Sequence, residues 1–416
     1  MIGSTKSEFK NITKGCPQGS VLGPMFWNLI FDEAIDIAGR GDNQPIAFAD
    51  DLIVVVSANS RQAIETKANR ITQELVAWCE KQKLEISKKK SEMLLLKGFL
   101  DIKRPPVVKI GNTSMKMNPK ARYLGIIFGS RLSISPHIDY ITAKTKRLFA
   151  GFSKLAREHW GLNTKVLRTI YTGLVLPVLC YAAAGWVHRL NTHHTRKLKS
   201  AQRQALIAIT RAYRTTSNNA LAVLAAELPI HLALKEKVQR YNLRKNREVA
   251  IGNLRLDPSE HELDEESREG IRNEIRAEVI RMWQEEWDSS EHGCVTKSFF
   301  PQIRERLECK DLQIDHYSTQ LITGHGYINI TLSKLNLTES NLCRCGQLDT
   351  VDHIIFHCNE EEAERAELIN ELNKEGIEWP CNYKDLVKRE TFPYLARFAN
   401  VTIKKRREIE LRSTEQ

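Results

Sequence analysis

The sequence lacks the features that mark fibrous, disordered and disulfide-bonded proteins. It has no internal repeat of fixed period, and a composition of 42% apolar and 27% charged residues excludes collagen, a coiled-coil fibre and wholesale disorder. Nine cysteines in 416 residues are an odd number and widely spread, which excludes a small disulfide scaffold and favours a reducing compartment. At roughly 150 residues per domain, this length predicts two to four domains.

Long apolar runs are also scarce. The N-terminal sequence MIGSTKSEFKNITKG has no apolar core of the kind that secretion signals carry, so we do not expect secretion. Residues 169–187, TIYTGLVLPVLCYAAAGWV, form one uncharged run that is long enough to cross a bilayer. A membrane-anchored protein and a buried core helix both fit this run, and its proline, glycines, threonines and tyrosines favour the core helix.

Acidic residues are scarce in residues 141–250, where 20 Lys and Arg face 4 Asp and Glu. Residues 257–291 show the opposite balance, with 13 acidic residues against 4 Arg, and we therefore expect two regions of different function. The basic segment interleaves its charges with apolar residues at helical spacing, as in KLKSAQRQALIAITRAYR, which predicts a folded basic surface. Phosphate backbones are the natural ligand of such a surface, and a merely solvated helix face is the alternative.

The pattern of apolar residues predicts an α+β module in the first third of the chain and a mainly α-helical region after residue 135. The predicted helices of the first part are residues 24–38, with a proline at the start, and residues 60–82. The predicted strands are residues 46–49, 52–57, 84–87, 93–96, 107–110 and 123–128.

Asp50 and Asp51 are the sharpest chemical feature, because they separate two apolar strands in IAFADDLIVVVS. Two adjacent carboxylates repel each other, and a divalent cation offsets this repulsion. Hard carboxylate oxygens suit Mg²⁺, and a pair of such ions can hold the attacking and leaving oxygens of a phosphoryl transfer. The alternative is a polar hairpin turn, since aspartate favours turns.

Four motifs occur in order around this hairpin: the loop KGCPQGSVLGP, then FADD, then a lysine turn in LEISKKKSEMLLL, then ARYLG. Together with LVLPVLCYAAAGW and RAYRTTSNNALAVLAAELPI, they resemble the reverse transcriptases of non-LTR (LINE-type) retrotransposons, in particular the insect clade that inserts into ribosomal RNA genes. The resemblance extends from about residue 13 to near residue 405. It implies a partial right-hand polymerase palm followed by a helical thumb and a small zinc-binding C-terminal domain.

The resemblance also implies roles for individual residues. Asp50 and Asp51 would be the catalytic aspartates that bind Mg²⁺, and Lys90 would protonate the pyrophosphate leaving group, although its charge also suits a plain turn lysine. The residues expected to contact the template and the incoming nucleotide, or to lie near the primer end, are Pro17, Gln18, Gly19 and Phe48, and those of the primer grip are Tyr123, Leu124 and Gly125.

The chain departs from this family at its start. A polymerase of this type needs a third carboxylate on a palm strand that precedes the PQG loop by several tens of residues, and 14 residues precede Gly15 here. Asp32 and Glu33, on the helix after the loop, are not expected to reach the hairpin tip. From the resemblance, we also expect the fingers and the N-terminal endonuclease of the parent polyprotein to lie outside these 416 residues. We therefore expect that this chain alone does not polymerise DNA, because two adjacent carboxylates cannot position two metal ions well.

A second candidate site is the cysteine–histidine cluster in SNLCRCGQLDTVDHIIFHCNE. Cys343, Cys345, His353 and Cys358 supply three thiolates and an imidazole, a set that holds Zn²⁺ tetrahedrally. His357 is a competing ligand because it can share a helix face with His353, and the alternative to any metal site is buried free cysteines beside surface histidines. The resembling family carries the same C-x-C, H, C pattern, which favours the first four residues and a structural role.

The resemblance predicts four regions: a partial palm at residues 1–130, a basic thumb at 131–250, an acidic helical linker at 251–300 and a zinc-binding domain at 301–416. For the parent polyprotein it implies target-primed, RNA-directed DNA synthesis with an RNA template, a DNA target or primer, dNTPs, Mg²⁺ and Zn²⁺, and without a membrane. It also implies a nuclear location after cytoplasmic synthesis, and residues 404–407 (KKRR) fit a nuclear address, a phosphate contact or a solvated helix end. The alternative function is a non-catalytic nucleic-acid-binding zinc protein derived from such an element.

Overall fold

The structure, a computed structural model, describes residues 19–96, 104–155, 164–259 and 263–414. These residues form a helix-rich chain with few strands, and each sheet among them has two strands. The chain divides into two compact units, Met1–Pro136 and His137–Gln416. Strands and helices mix in the first unit and helices dominate the second, as the sequence predicts.

The first unit has its core between two long helices and a β-hairpin. In chain order its elements are α1 (Gly23–Ala38), β1 (Gln44–Phe48), β2 (Asp51–Val55), α2 (Arg61–Lys81), β3 (Glu92–Met93), β4 (Lys109–Ile110), β5 (Thr113–Ser114), β6 (Lys116–Met117), β7 (Lys120–Tyr123) and β8 (Ile126–Gly129). The pairs β1–β2, β4–β5 and β7–β8 are antiparallel, and β3 pairs with β6 in parallel. Phe31 of α1 and Ile71, Leu75 and Trp78 of α2 are buried in the core, and Leu52 of β2 packs against them.

The local sequence explains where α1 and α2 begin and end. Pro24 occupies the first turn of α1, where its missing amide hydrogen costs nothing, and Gly39 closes the last turn. Ser60 caps α2, because its Oγ accepts from the amide of Ala63 at 3.2 Å. Both helices match their predicted ranges to within one residue at each end.

Four of the predicted strands differ from the structure. Residues 84–87 are not a strand, and the strands predicted at 93–96 and 107–110 are the two-residue β3 and β4. Residues 123–128 are not one strand but part of the hairpin β7–β8, in which Leu124 and Gly125 form the turn with φ angles of 44° and 82°. A two-residue turn with positive φ at both positions, and glycine at the second, is typical of antiparallel hairpins. The YLG motif therefore ends one strand and leads into the next.

The second unit packs many helices around large apolar side chains. From residue 135 onward the elements are α3 (Ser135–Leu155), α4 (Thr164–Ile170), α5 (Leu176–Leu179), α6 (Thr192–Thr210), α7 (Asn218–Ala225), α8 (Ile230–Arg244), β9 (Val249–Ile251), β10 (Leu254–Leu256), α9 (Glu265–Asp288), α10 (Cys294–Phe299), α11 (Ile303–Glu308), α12 (His316–Thr323), α13 (Asn329–Lys334), α14 (Glu362–Lys374) and α15 (Phe392–Thr414). Trp186, Leu198, Leu221 and Trp283 are among its buried side chains.

The uncharged run begins in the last two residues of α4 and continues through a π-helical turn (Tyr171–Val175) and α5. Leu167 of α4 and Tyr171, Val175 and Leu179 of the run recur every four residues and are buried. Gln202 of α6 donates from Nε2 to the Tyr171 hydroxyl at 2.8 Å, which fixes the run to the surrounding helices. In the described part of the chain, Thr164–Gly185 is long and apolar enough to cross a membrane by length and composition, and 33% of that window is buried.

The acidic segment contains α9, which packs against α8 of the basic segment. Arg276 Nη1 lies 2.9 Å from Glu236, and His231 Nε2 lies 2.8 Å from Glu286. The buried residues along α9 are Ile271, Ile275, Val279, Trp283 and Trp287. The predicted linker therefore contains core-forming residues, and the boundaries of the four predicted regions stay predictions.

Candidate active site and metal centre

The two adjacent aspartates lie at the turn between β1 and β2. Phe48 pairs with Asp51, so the two turn residues are Ala49 and Asp50, and Asp51 is the first residue of β2. The turn thus lies one residue earlier than the Asp50 and Asp51 turn that the sequence predicts. Ala49 has a φ of 52°, a left-handed conformation that costs a non-glycine residue about 1 kcal/mol. Surrounding contacts must therefore hold the turn in this conformation.

Trp27 of α1 supplies such a contact. Its Nε1 donates to the carbonyl oxygen of Ala49 at 2.9 Å. The Trp27 ring stacks on Phe31 with centroids 5.1 Å apart, and Phe31 meets Trp78 of α2 edge-on at 6.0 Å. The hydrogen bond from Trp27 therefore holds the aspartate turn against α1, and the rings of Phe31 and Trp78 support Trp27.

Both carboxylates are exposed. Asp50 and Asp51 are exposed, as is Phe48 just before the turn, at 62%. Burial raises the pKa of the Tyr123 hydroxyl at the end of β7, and the charge of Asp51 raises it further. That the YLG motif belongs to the same site as the aspartates stays a prediction.

Of the other residues predicted for this site, the structure describes Gly19 and Lys90 in turns. Gly19 has a φ of 88°, which suits glycine, and Pro17 and Gln18 lie outside the described residues. Lys90 is exposed in a turn, where its amide donates to the carbonyl oxygen of Ser87 at 3.1 Å. The position of Lys90 therefore fits a turn lysine, and its role in catalysis stays a prediction.

Glu33 of α1 is engaged away from the hairpin tip. Its carboxylate accepts from Trp78 Nε1 at 3.1 Å and pairs with Lys81 at 3.1 Å. The hydrogen bond from Lys81 lowers the pKa of Glu33. These contacts agree with the expectation that Glu33 does not complete the aspartate pair.

Cys343, Cys345, His353 and Cys358 come together in the second unit. Their ligand atoms all lie within 4.8 Å of one another. The Sγ atoms of Cys343 and Cys358 are 3.6 Å apart, and Cys345 Sγ lies 3.1 Å from His353 Nε2. Ligands at about 2.0 to 2.3 Å from a tetrahedral zinc lie roughly 3.4 to 3.8 Å from one another. The donor set therefore fits Zn²⁺, and the separation of Cys343 Sγ from Cys358 Sγ lies within this range.

The local backbone explains how these ligands converge. Gly346 has a φ of 87°, and its amide donates to the carbonyl oxygen of Cys343 at 2.8 Å, which reverses the chain after the first two cysteines. His353 begins a π-helical turn (His353–His357), and its amide donates to Thr350 Oγ1 at 3.0 Å. The amide of Cys358 donates to the carbonyl oxygen of His353 at 2.7 Å, so the turn brings the last two ligands together.

His357, the competing ligand by spacing, does not join the cluster. Its side chain is 61% exposed, and its Nε2 lies 3.3 Å from Asp352. A π-helical turn is wider than an α-helical turn, so residues four apart no longer share a face. The structure therefore groups the four residues that the resemblance favours.

Arg406 of α15 contacts this cluster, a role that no sequence motif indicates. Its Nη2 donates to the Sγ atoms of Cys343 at 3.5 Å and Cys358 at 3.9 Å. Its Nη1 and Nε donate to Asp349 at 2.7 Å and Glu361 at 3.1 Å. The KKRR segment is therefore not simply a solvated helix end.

The cations of the basic segment divide into internal and exposed ones. Arg203 donates to the carbonyl oxygen of Thr216 at 2.7 Å, and Arg168 pairs with Glu227 at 3.5 Å. The exposed cations of α6, α8 and the turn after α8 are Arg196, Lys235, Lys237, Arg244, Lys245 and Arg247. A cationic surface thus remains after the internal ion pairs are counted.

Residues 1–128 match the protein family described as reverse transcriptase (RNA-dependent DNA polymerase). The matched range contains the aspartate hairpin, the lysine turn and the YLG turn. The first unit is therefore a reverse transcriptase domain.

The chain as a whole is similar to proteins encoded by insect retrotransposons. A retrovirus-related Pol polyprotein from type-1 retrotransposable element R1 4 of Nasonia vitripennis is 35% identical over 387 residues, which cover 88% of this chain and 97% of the relative. A Pol polyprotein from element R1 of Bradysia coprophila is 30% identical, over 86% of this chain and 36% of the relative. A probable RNA-directed DNA polymerase from transposon BS of Drosophila melanogaster is 26% identical, over 47% of this chain and 22% of the relative.

The chain belongs to the Pol polyproteins of the R1 retrotransposable elements, a group of insect non-LTR retrotransposons. This confirms the resemblance drawn from the sequence motifs. The chain spans nearly the whole Nasonia relative, at 97%, and about a third of the Bradysia relative, at 36%.

Proposed function

We propose that this chain contributes the aspartate hairpin, thumb and C-terminal zinc region of an RNA-directed DNA polymerase that copies RNA from a DNA primer. The observation that supports this most is the Asp50 and Asp51 turn, held by the hydrogen bond from Trp27, inside a reverse transcriptase domain. The proposed substrates are dNTPs, and the proposed primer is the 3′ end of a nick made in target DNA by the endonuclease of a longer parent polyprotein.

Asp50 and Asp51 are the proposed ligands of Mg²⁺, since both are exposed carboxylates whose hard oxygens suit this ion. The bound ion would stabilise the negative charge that develops on the attacking and leaving oxygens of phosphoryl transfer. Phe48 and the Tyr123, Leu124, Gly125 turn are the proposed supports of the primer end, together with Pro17, Gln18 and Gly19 on the template side. Lys90 is the proposed proton donor to pyrophosphate.

The basic surface of residues 131–250 is the proposed thumb. Its exposed cations on α6 and α8 would hold the phosphate backbones of template and primer, which is the usual function of clustered Lys and Arg on a folded helical surface. Arg196 and Lys237 are examples with no ion pair among the described residues.

Cys343, Cys345, His353 and Cys358 are the proposed ligands of one structural Zn²⁺. Four protein ligands leave no open coordination position, so this ion would stabilise the fold rather than take part in catalysis. Burial raises the pKa of the Cys358 thiol to about 12 in the metal-free cluster, and a bound cation would favour the thiolate instead. Metal analysis of the reduced, purified chain should find about one zinc per molecule.

A non-catalytic nucleic-acid-binding protein is not favoured, because the domain and the relatives both belong to polymerases. We also propose a nuclear site of action, because the target of such an element is chromosomal DNA. Residues Lys405 and Arg406 are engaged in internal ion pairs, so the KKRR segment is a poor candidate for a freely exposed address. Imaging of the tagged chain, with and without this segment, tests the proposed location.

Asp50→Asn is the decisive test of the polymerase proposal. The chain is fused behind the preceding polymerase segment of the longer Bradysia relative, and primer extension on an RNA template is measured with Mg²⁺ and dNTPs. Losing a carboxylate ligand should reduce the extension rate by about 100-fold or more. The 416 residues without the fusion are assayed in parallel, because the sequence predicts that they do not extend a primer.

Asp36→Asn is the matched control, since Asp36 is an exposed aspartate on α1 in the same unit. This variant should extend the primer at the rate of the parent fusion. If Asp50→Asn kept that rate as well, the aspartate hairpin would not be the catalytic site.

A further inference from the structure

The side chain of Arg406 is nearly buried between two carboxylates and two thiols. It is 12% exposed, while the side chains of its partners Asp349 and Glu361 are 0% and 2% exposed. Its three guanidinium nitrogens are divided among Asp349, Glu361 and the sulfur atoms of Cys343 and Cys358. A planar guanidinium can satisfy this many acceptors at once, whereas an ammonium group cannot.

The charges around the cluster require such a cation. Three thiolates, a neutral imidazole and a divalent ion carry a net charge of about −1 by formal counting. The buried carboxylates of Asp349 and Glu361 add further negative charge beside them. Buried charges without partners are costly, and Arg406 is the described cation that touches both carboxylates and both sulfur atoms. Lys405 lies at the edge, 3.5 Å from Glu361.

Arg406 also connects three parts of the chain that are far apart in sequence. Asp349 precedes the His353 ligand and accepts from the amide of Asn329 at 2.7 Å. Glu361 lies three residues after the Cys358 ligand, at the end of a 3₁₀ turn (Asn359–Glu361). Arg406 itself lies near the end of the long helix α15. The earlier part of α15 is held independently, since Leu395, Phe398, Ala399 and Ile403 are buried.

We propose that Arg406 is a positioning residue for the metal centre, and that it couples metal binding to the docking of the C-terminal half of α15. The guanidinium neutralises the thiolates of Cys343 and Cys358 and fixes the two carboxylates that flank the ligand segments. Hydrogen bonds to metal-bound thiolates hold the ligands in position. Such bonds commonly raise metal affinity by about 10-fold to 100-fold. This inference depends on the zinc assignment proposed above.

Zinc affinity is the first test. The reduced full-length chain, loaded with Zn²⁺, is titrated with a chromophoric chelator that reports the zinc it removes. Arg406→Gln should bind zinc about 10-fold to 100-fold more weakly than the unaltered chain, because it loses the charge and most of the donors. Arg406→Lys, which keeps the charge but not the fork of donors, should be intermediate. Lys404→Gln, an exposed neighbour on the same helix, should bind like the unaltered chain.

Hydrogen exchange of α15 is the second test, and a generally weakened fold would not reproduce its pattern. Exchange at residues 404–409 should be slow in the zinc-loaded chain and faster after chelation. It should also be fast in zinc-loaded Arg406→Gln at saturating metal, while residues 392–403 stay protected. Should Arg406→Gln fail to fold, Arg406→Lys is measured in its place.

The outcomes separate the two proposals. An unaltered chain that binds no zinc overturns the zinc assignment. A chain that binds zinc with the same affinity whether residue 406 is Arg or Gln overturns the role of Arg406. Weakened binding with unchanged exchange in residues 404–409 overturns the coupling between the metal centre and the helix.

Discussion

At the scale of single residues, His137 is an unusual buried imidazole. It is 1% exposed, and neither of its ring nitrogens has a hydrogen-bond partner among the described residues. Its ring meets that of Trp186 edge-on, with centroids 5.5 Å apart. Burial lowers the pKa of His137 from 6.5 to about 4, because the charged imidazole would lose its hydration there.

Acidification should therefore destabilise the fold around His137. Between pH 6.5 and about 4, the unfolded state binds a proton that the folded state excludes. The free energy of unfolding then falls with decreasing pH, by at most about 1.4 kcal/mol per pH unit from this group. Urea unfolding at pH 7, 6 and 5 measures the slope, and His137→Leu should reduce it, while His194 and His325, whose pKa values burial also lowers, keep part of it. An equal slope in this variant would show that His137 does not cause the pH dependence.

The residues of the two sites differ in how far the sequence can identify them. Asp50 and Asp51, like the four zinc ligands, lie in short motifs whose spacing already implies that they meet. Trp27 and Arg406 contact partners 22 and 57 residues away, and their role depends on how whole helices pack. No local sequence pattern predicts such contacts. The sequence shows a tryptophan after a glycine-rich loop and an arginine within KKRR, but not what these residues contact.

At the scale of secondary structure, the helices were predictable and the short strands were not. α1 and α2 carry their own signals, namely a proline in the first turn, a serine cap and apolar residues at helical spacing. The strands β3 to β6 have two residues each, and β3 pairs with β6 across an intervening hairpin. Periodicity cannot be read from two residues, so these pairings depend on the tertiary fold.

Ser60→Ala should weaken α2, because Ser60 Oγ accepts from the amide of Ala63 and caps the first turn. The expected loss is about 1 kcal/mol in the free energy of opening the α2 amides, as measured by hydrogen exchange. Ser60→Asp keeps an acceptor at this position and should preserve the protection of the unaltered chain. Equal exchange in the alanine and aspartate variants would show that the cap contributes nothing to the stability of α2.

At the scale of the whole molecule, the charge pattern of the sequence predicts function only in part. The sequence predicts a basic region and an acidic region of different function, yet α9 packs its acidic residues against α8. Burial alone would raise the pKa of Glu286, but the hydrogen bond from His231 and the nearby Lys199 and Lys235 lower it. Part of the basic charge is thus paired with acidic residues within the second unit. The exposed cations that have no such partner are the ones that can bind nucleic acid.

The exposed cations of the basic segment should make the binding of RNA strongly dependent on salt concentration. For single-stranded RNA, the logarithm of the binding constant falls with the logarithm of salt concentration by about 0.7 for each phosphate that a cation neutralises. Lys237→Gln and Lys245→Gln together should therefore lower that slope by about 1.4, because both residues are exposed and outside the internal ion pairs of the described chain. Fluorescence anisotropy with a labelled RNA across a salt series measures the slope.

Lys374→Gln on α14 is the matched control, because Lys374 is also exposed, at 66%, but pairs with Glu371 away from the basic segment. It should leave the slope unchanged. If the control lowered the slope by about 0.7, half the effect of the double variant, binding would depend on total charge rather than on a surface built by α8 and the following turn. A slope near zero in the unaltered chain would show that residues 131–250 do not bind phosphates. A surface that binds phosphates releases counterions, and that release produces the slope.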